Sequence, residues 1–437
     1  MSADVESPLT PTLSPASRGR GGSRVLIIGA GFAGIEVARK LGAAGIAVTL
    51  IDRQNHHLFQ PLLYQVATAA LSPADIAEPV RKMLRRYPNV EVVLGEVAAI
   101  DKAARLVTLA AGRLYPYDIL VLATGATHSY FGHDEWAEFA PGLKTIEDAR
   151  RIRSRLLLAF ERAEMSRDPA EQKRLMTIAV IGGGPTGVEL AGSIAELARY
   201  TLAKDFHRIH AQNATVLLLE AGPRILTAFP DDLARYAVRK LERLGVTVRT
   251  NCAVERIEDG RLIAAGEEIG TGFAIWAAGV RASSLARLLG AELDRAGRVR
   301  VNRDLSVPGV ENVYALGDIA LAPDESGNPL PGLAQVAKQE GEYLGRALVR
   351  KILHGEAPKP FTFHNRGNTA IIGRHAAVFD FGWWRIKGWF AWAFWALIHV
   401  YLLVGFQHRL MVAMQWLWRY VTYERGSRLI AEEFEGK

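Results

Sequence analysis

The sequence predicts an α/β protein with two similar βαβ-based units and a C-terminal helical region rich in aromatic residues. Three observations predict it. A glycine-rich turn between an apolar strand and a helix occurs at Gly29 and again at Gly182, 153 residues on. A second strand followed by a glycine, ending at Gly125 and at Gly279, repeats at nearly the same offset, 154 residues. Seven of the nine tryptophans, Trp383, Trp384, Trp389, Trp392, Trp395, Trp416 and Trp418, lie near the C-terminus. Features repeated in register over such a distance mark similar units. A single hydrophobic core rarely grows past about 250 residues, and this chain has 437.

Residues 1–23 are rich in Ser, Pro, Thr, Gly and Arg and hold no continuous apolar run. That composition reads as a disordered lead-in, neither a secretory signal nor a transit peptide. Val25 to Ile28 then forms a strand, Gly29-Ala30-Gly31-Phe32-Ala33-Gly34 a tight turn, Ile35 to Leu41 a helix, and Ala47 to Ile51 a strand ending at Asp52. Strand, glycine turn, helix, strand and acid form the dinucleotide fingerprint in its required context. Gly29 permits the turn, Gly31 lets the backbone approach a pyrophosphate, and Gly34 lets the helix pack on the strand. The helix N-terminus favours phosphates, and Asp52 can accept hydrogen bonds from a ribose.

The unit recurs as Ile178 to Ile181, Gly182-Gly183-Gly184-Pro185-Thr186-Gly187, a helix from Val188, and a strand Thr215 to Leu219 ending at Glu220. The repeated strand-glycine pairs are Leu120 to Leu122 before Ala123-Thr124-Gly125, and Ala274 to Trp276 before Ala277-Ala278-Gly279. The fold class is therefore two Rossmann-like dinucleotide-binding domains plus a C-terminal amphipathic, aromatic-rich, membrane-associated helical region. Two dinucleotide sites imply two dinucleotides. The useful pairing is a tightly held flavin with an exchangeable nicotinamide, since a flavin can take a hydride and release single electrons. Glu220 favours NADH over NADPH, because a carboxylate on the ribose would repel a 2′-phosphate. Arg224 stands close by and can either help a phosphate bind or pair with an acid at the surface.

Composition narrows the chemistry. A lone cysteine, Cys252, supplies neither an internal disulfide, nor a Cys-based metal site, nor a redox dithiol; it reads as inert packing in a strand. The net charge of +7, from 53 Lys plus Arg against 46 Asp plus Glu, suits an anionic surface. No nucleic-acid motif accompanies the clusters Arg81, Lys82, Arg85, Arg86 and Arg150, Arg151, Arg153, Arg155, which read as solvated helix faces. His56, His57 and His128 lack carboxylate companions at ligand spacing, so no metal is expected.

The segments Asn55 to Ala67, Ala123 to Gly132, Gly317-Asp318 and Ala334-Gln335-Val336-Ala337-Lys338-Gln339 together resemble the type II, non-proton-pumping NADH:quinone oxidoreductases, over the chain from about residue 24 almost to its end. The resemblance implies FAD in the first domain and NADH in the second. It places Asp318 near the ribityl and pyrophosphate part of the flavin, Gln60, Pro61 and Leu62 beside the flavin, and Gln335 and Gln339 at the quinone. Spacing agrees for the glutamines: one helical turn apart, their amides can face one ligand. Glu189, in the first turns of the second helix, is a candidate for orienting nicotinamide or quinone or relaying a proton; Glu36 holds the equivalent place in the first unit, where an acid commonly serves the helix dipole. Arg53, Val97, Val336 and Ala337 complete the expected cofactor contacts. The FAD is expected to be non-covalent, since no His or Cys is placed to attach it.

On this reading residues 24–145 are the first part of the FAD domain, 146–295 the NADH domain, 296–358 the second part of the FAD domain, and 359–437 the membrane-anchoring region. Gly388 to Phe406 is 19 residues long with one group titrating near neutral pH, His399. It is followed by a basic and aromatic stretch with Arg409, Trp416 and Trp418, a pattern that favours a hairpin of two helices lying in one leaflet over a span. A homodimer on the cytoplasmic face of a bacterial inner membrane, serving a membrane quinone and holding anionic lipid, is expected. The rival enzyme, a sulfide:quinone oxidoreductase, needs cysteines near the flavin. The rival from another class is a membrane-attached NADH-sensing protein.

Overall fold

The computed structural model describes residues 22–403, 406–422 and 425–430. Nearly all of the expected lead-in, residues 1–21, lies outside the described residues. The chain divides into two compact units. One comprises the described residues up to His57 with Glu78–Thr127 and Arg281–Asn365; the other comprises Leu58–Ala77, His128–Val280 and the described residues from Arg366.

The main elements of the N-terminal half are β1 (Val25–Ile28), α1 (Phe32–Ala43), β2 (Val48–Asp52), β3 (Val90–Leu94) and β4 (Ile119–Leu122). Next come α2 (Ile146–Met165), β5 (Thr177–Ile181), α3 (Pro185–Glu196), β6 (Thr215–Leu219), α4 (Asp231–Arg243), β7 (Val246–Arg249) and β8 (Phe273–Trp276). The last part holds β9 (Val313–Ala315), α5 (Ala334–His354), β10 (Asn368–Gly373), β11 (Ala376–Asp380), β12 (Arg385–Gly388), α6 (Trp389–Leu402) and α7 (Phe406–Thr422).

In the first unit β9, β4, β1, β2 and β3 form one sheet in that order. All its pairings are parallel, with Val25 opposite both Val48 and Ile119. Both faces of a parallel sheet are covered, which is why β1 and β4 read as unbroken apolar runs and are buried throughout. Glycines bring α5 onto α1: a Cβ on Gly341 would lie 2.3 Å from the carbonyl of Ala33, and one on Gly345 would lie 2.7 Å from Cβ of Lys40.

In the second unit the parallel sheet runs β7, β6, β5, β8. The C-terminal strands β10, β11 and β12 make an antiparallel sheet seated against α3. Gly192 of α3 permits this, since a Cβ there would stand 1.8 Å from the carbonyl of Ile372. The region from residue 366 is thus packed into the second unit. The chain crosses between units at 57/58, 77/78, 127/128, 280/281 and 365/366; the crossings at 127/128 and 280/281 stand where 145/146 and 295/296 were read from sequence. The physical reason is that the chain leaves each sheet just past the strand-glycine pairs ending at Gly125 and Gly279.

Two further expectations need correction. Arg153 is buried on α2, so that arginine cluster is not wholly a solvated face. Cys252 is buried but lies in the connection between β7 and the strand Val254–Glu258, not in a strand. Among the described residues no helix is long and apolar enough to cross a membrane. The 14 residues of α6 reach about 21 Å, short of the roughly 30 Å of a hydrocarbon core.

Candidate nucleotide sites and an aromatic cavity

Gly29 leaves β1 at φ +104°, and a Cβ on it would stand 2.4 Å from the carbonyl oxygen of Ala123. A Cβ on Gly34 would stand 1.9 Å from the carbonyl of Gly29. These two glycines are required by packing. Gly31 and Gly125 differ: a Cβ would meet nothing closer than 4.0 Å at Gly31 and nothing within 4 Å at Gly125. Gly31 caps the N-terminus of α1, a bare backbone of the kind a pyrophosphate approaches.

Asp52, at the end of β2, accepts from the N–H of Ala30 (2.6 Å) and of Gln54 (2.7 Å), so the candidate ribose acid also ties down the glycine turn. His57 is buried beneath that turn, its Nδ1–H donating to the carbonyl of Ala30 at 2.9 Å, and burial holds its pKa below the ordinary imidazole value. Phe32 meets its ring edge-on at 5.0 Å. Gly317 is within contact of Ala33 and Ala337 across the same corner. This brings Ala33, Ala123, Gly317-Asp318 and Val336-Ala337 to one place. Arg53 is exposed beyond β2, and Val97 is buried at the start of the strand Val97–Asp101.

Glu340 was not singled out from sequence. It is almost fully buried on α5, accepts from the N–H of Gly317 at 2.6 Å, and is pushed by burial to a pKa of about 8. Its neighbour Gln339 spends both ends of its amide on the backbone of His364, donating at 2.9 Å and accepting at 3.1 Å. Gln335 stands one turn earlier on the same helix, half-buried.

The second unit repeats the first. Gly182 turns at φ +111° against Ala277 and Ala278, and a Cβ on Gly187 would lie 1.8 Å from the carbonyl of Gly182. Gly184 borders open space, while Pro185 and Thr186 are exposed at the start of α3. Glu220 accepts from Gly183 N–H at 2.6 Å and from Gly222 N–H at 2.7 Å, matching Asp52. Arg224 donates to the carbonyls of Phe229 (3.0 Å) and Thr227 (2.9 Å), so its guanidinium holds a loop.

The symmetry stops at Glu189 and Glu36. Glu36 pairs with Arg39 at 3.4 Å on the surface of α1. Glu189 borders a cavity of about 130 Å³ instead. Burial raises its pKa to about 8, and it accepts from the N–H of Ile371 at 3.4 Å. Tyr64, Gln65, Trp392, Trp395, Trp416 and Arg425 are among the other walls. Trp416 Nε1 donates to Gln65 at 2.9 Å, and Arg425 donates to the Thr68 carbonyl at 2.7 Å and to Ser193 Oγ at 3.2 Å, with Glu196 at 3.6 Å. His399 stacks on Trp395 and is pushed down to a pKa of about 4, so it is neutral at pH 7. Sequence reading missed this cavity because its residues come from segments more than 300 positions apart. Gln60, Pro61 and Leu62 form a single 3₁₀ turn in the second unit, where Gln60 donates to the Lys144 carbonyl at 3.1 Å.

Fold and paired glycine-carboxylate turns define a two-dinucleotide oxidoreductase. A family model described as pyridine nucleotide-disulphide oxidoreductase matches residues 23–341, and one described as the NDH2 C-terminal domain matches 365–422. Two type II NADH:quinone oxidoreductases of Mycobacterium tuberculosis are similar to the chain. One is 41% identical over 97% of this chain and 92% of its own, the other 43% identical over 94% and 90%. Among solved structures, NDH2 of Plasmodium falciparum in complex with NADH shares the fold at a TM-score of 0.85 and 20% identity, over 94% of this chain and 100% of that one. A sulfide:quinone oxidoreductase of Aquifex aeolicus gives 0.69 at 21% identity, over 94% of each chain. The chain belongs to the type II NADH:quinone oxidoreductase family.

Proposed function

We propose that this chain oxidises NADH and reduces a membrane quinone through a non-covalently held FAD, without moving ions. The observation that carries the reading is the presence, in one chain, of two glycine turns each tied by an acid at the end of the next strand. A flavin bound in the first unit would supply a hydride acceptor and an electron donor to quinone. The N-terminus of α1 with Gly31 and Gly125 receives its pyrophosphate, Asp52 its ribose, and Asp318 its ribityl part. Arg53, Val97, Ala123, Thr124, Val336 and Ala337 complete its surroundings. In the second unit Gly184, Pro185 and Thr186 receive the pyrophosphate of NADH, Glu220 its adenosine ribose, and Ala278-Gly279 its far half. Gln335, with Gln339, borders the quinone, which takes up two electrons and two protons. Glu189, whose carboxyl stays largely protonated at neutral pH, holds a proton that it can deliver.

The outer surfaces of α6 and α7 support attachment to a lipid surface. Phe390 (74% exposed), Leu397, Tyr401, Leu417 and Trp418 are all in contact with solvent. So large an apolar surface is rarely left to water. Attachment as a homodimer on the cytoplasmic face, against anionic lipid, fits the basic net charge. The sulfide:quinone reading has no cysteine to carry sulfur, since Cys252 is buried in the second unit.

Stopped-flow mixing tests the reading. NADH should bleach the flavin within one turnover, and a quinone analogue added afterwards should restore its absorbance. Flavin bleached by NADH but not reoxidised by quinone would point to the sensing protein.

A further inference from the structure

Phe131 is the outlier of the second unit. It is a bulky residue in the left-handed region, φ +54°, and it is 69% exposed. A large side chain in that region costs energy, and an exposed ring gains nothing from burial. The backbone around it is nonetheless firmly held. Ser129 N–H donates to the carbonyl of Gly279 at 3.1 Å, Trp276 Nε1 donates to the carbonyl of Ser129 at 2.9 Å, and the Tyr130 hydroxyl donates to the carbonyl of Ala140 at 3.0 Å. The ring stands over Gly279, where an added Cβ would lie 2.7 Å from Phe131 Cζ. It also meets Trp276 edge-on at 6.1 Å.

The sheet order says what would cover it. With β6 on one side of β5 and β8 on the other, a dinucleotide centred on the turn after β5 has its adenosine ribose at Glu220, past β6. Its other half must then run toward the end of β8, past Ala277 and Ala278, which touch the Gly182 turn, to Gly279. We propose that the Phe131 ring is a wall of the site for the nicotinamide-ribose half of NADH and lies against it when the nucleotide binds. Contact with a planar ring or its ribose then covers the exposed side chain in the bound state and offsets the cost of the backbone conformation. The inference rests on the nucleotide reading of the Glu220 site.

The test uses the full-length, flavin-loaded protein with Phe131→Asn and Phe131→Gly, which suit a positive φ, and with Phe131→Tyr, which keeps a ring. The Asn and Gly variants should melt at or above the unaltered protein, while their KM for NADH and their Kd for NAD⁺ by calorimetry rise about 3- to 10-fold. KM for a soluble quinone should stay unchanged, and Phe131→Tyr should stay within about twofold throughout. Unchanged nucleotide affinity in the Asn and Gly variants overturns the proposal, and so does their failure to fold, which would make the ring a packing element. If the unaltered protein does not bind NAD⁺ at all, it is the nucleotide reading that fails.

Discussion

Asp52 and Glu220 each accept from one backbone N–H of the glycine turn and from one in the loop after their own strand, and each is proposed to bind a ribose. Replacing either acid therefore mixes a recognition effect with a local structural one, and the choice of substitute separates them. Glu220→Gln keeps one acceptor oxygen while removing the charge, so the preference for NADH over NADPH, measured as the ratio of kcat/KM, should narrow. Glu220→Ala strands two donors, at about 1–3 kcal/mol each if they stay buried, and should lower thermal stability as well. Equal use of both nucleotides by the unaltered protein would remove Glu220 from this role. At Glu340 the measurable is pH. Its folded pKa, about 8, is raised above the ordinary 4.5 by burial, so folding favours the protonated form. The stability it contributes is full below pH 4.5 and is lost as pH rises through 8. Glu189 acts in the same sense. Melting temperatures recorded from pH 5 to 9 should fall across that window, and Glu340→Gln should flatten the fall; an identical profile in the variant would mean that Glu340 does not ionise differently on folding.

At the scale of elements, α5 shows what one helix must supply. Its first turns bring Val336 and Ala337 to the first-unit cradle, Glu340 to the N–H of Gly317, and Gln339 to the backbone of His364. The helical spacing of Gln335 and Gln339 was legible from sequence, but spacing says nothing about which amide is already committed. Gln339→Leu should lose two hydrogen bonds, destabilising the first unit by about 1–3 kcal/mol, and should disturb flavin reduction and quinone reduction together. Gln335→Leu should slow reoxidation of the flavin by quinone while leaving its reduction by NADH near the unaltered rate. Equal loss in both half-reactions would make Gln335 part of the fold. The glycine turns and their acids could be read because that chemistry needs fixed residue types at short spacing. Glu340, His57 and the cavity beside Glu189 could not, because burial and long-range contact decide them, and a buried Glu reads in sequence like an exposed one. Arg425 shows the same limit: nothing in its neighbours announces that it reaches Thr68, Ser193 and Glu196.

At the scale of the whole molecule, the aromatic tail is both surface and structure, and this decides how its role must be tested. Removing the chain from about Gly382 would take away β12, which pairs with β11, and also Arg425 and Trp416. It would leave Glu196 without its buried cation, a change that typically costs several kcal/mol, so lost activity could come from a damaged second unit. Substituting the outward residues avoids this. Trp383 (86% exposed), Phe390, Leu397, Leu417 and Trp418 touch water on the face away from the core, and replacing them by Ser or Gln leaves Trp395, Trp416 and His399 in place. Each large apolar side chain gains roughly 1.5–3 kcal/mol on full burial, so five replacements should abolish co-sedimentation with vesicles containing anionic lipid. The soluble variant should keep its flavin and its rate of reduction by NADH, and lose activity with long-chain quinones far more than with short soluble analogues, since only the former must be drawn from a bilayer. Because no described helix is both long and apolar enough to span, protease sealed on the far side of vesicles should cut nothing in the unaltered protein. A substituted protein that still pelleted with lipid would take these helices out of the anchoring role, and cleavage from the far side would mean that the tail crosses.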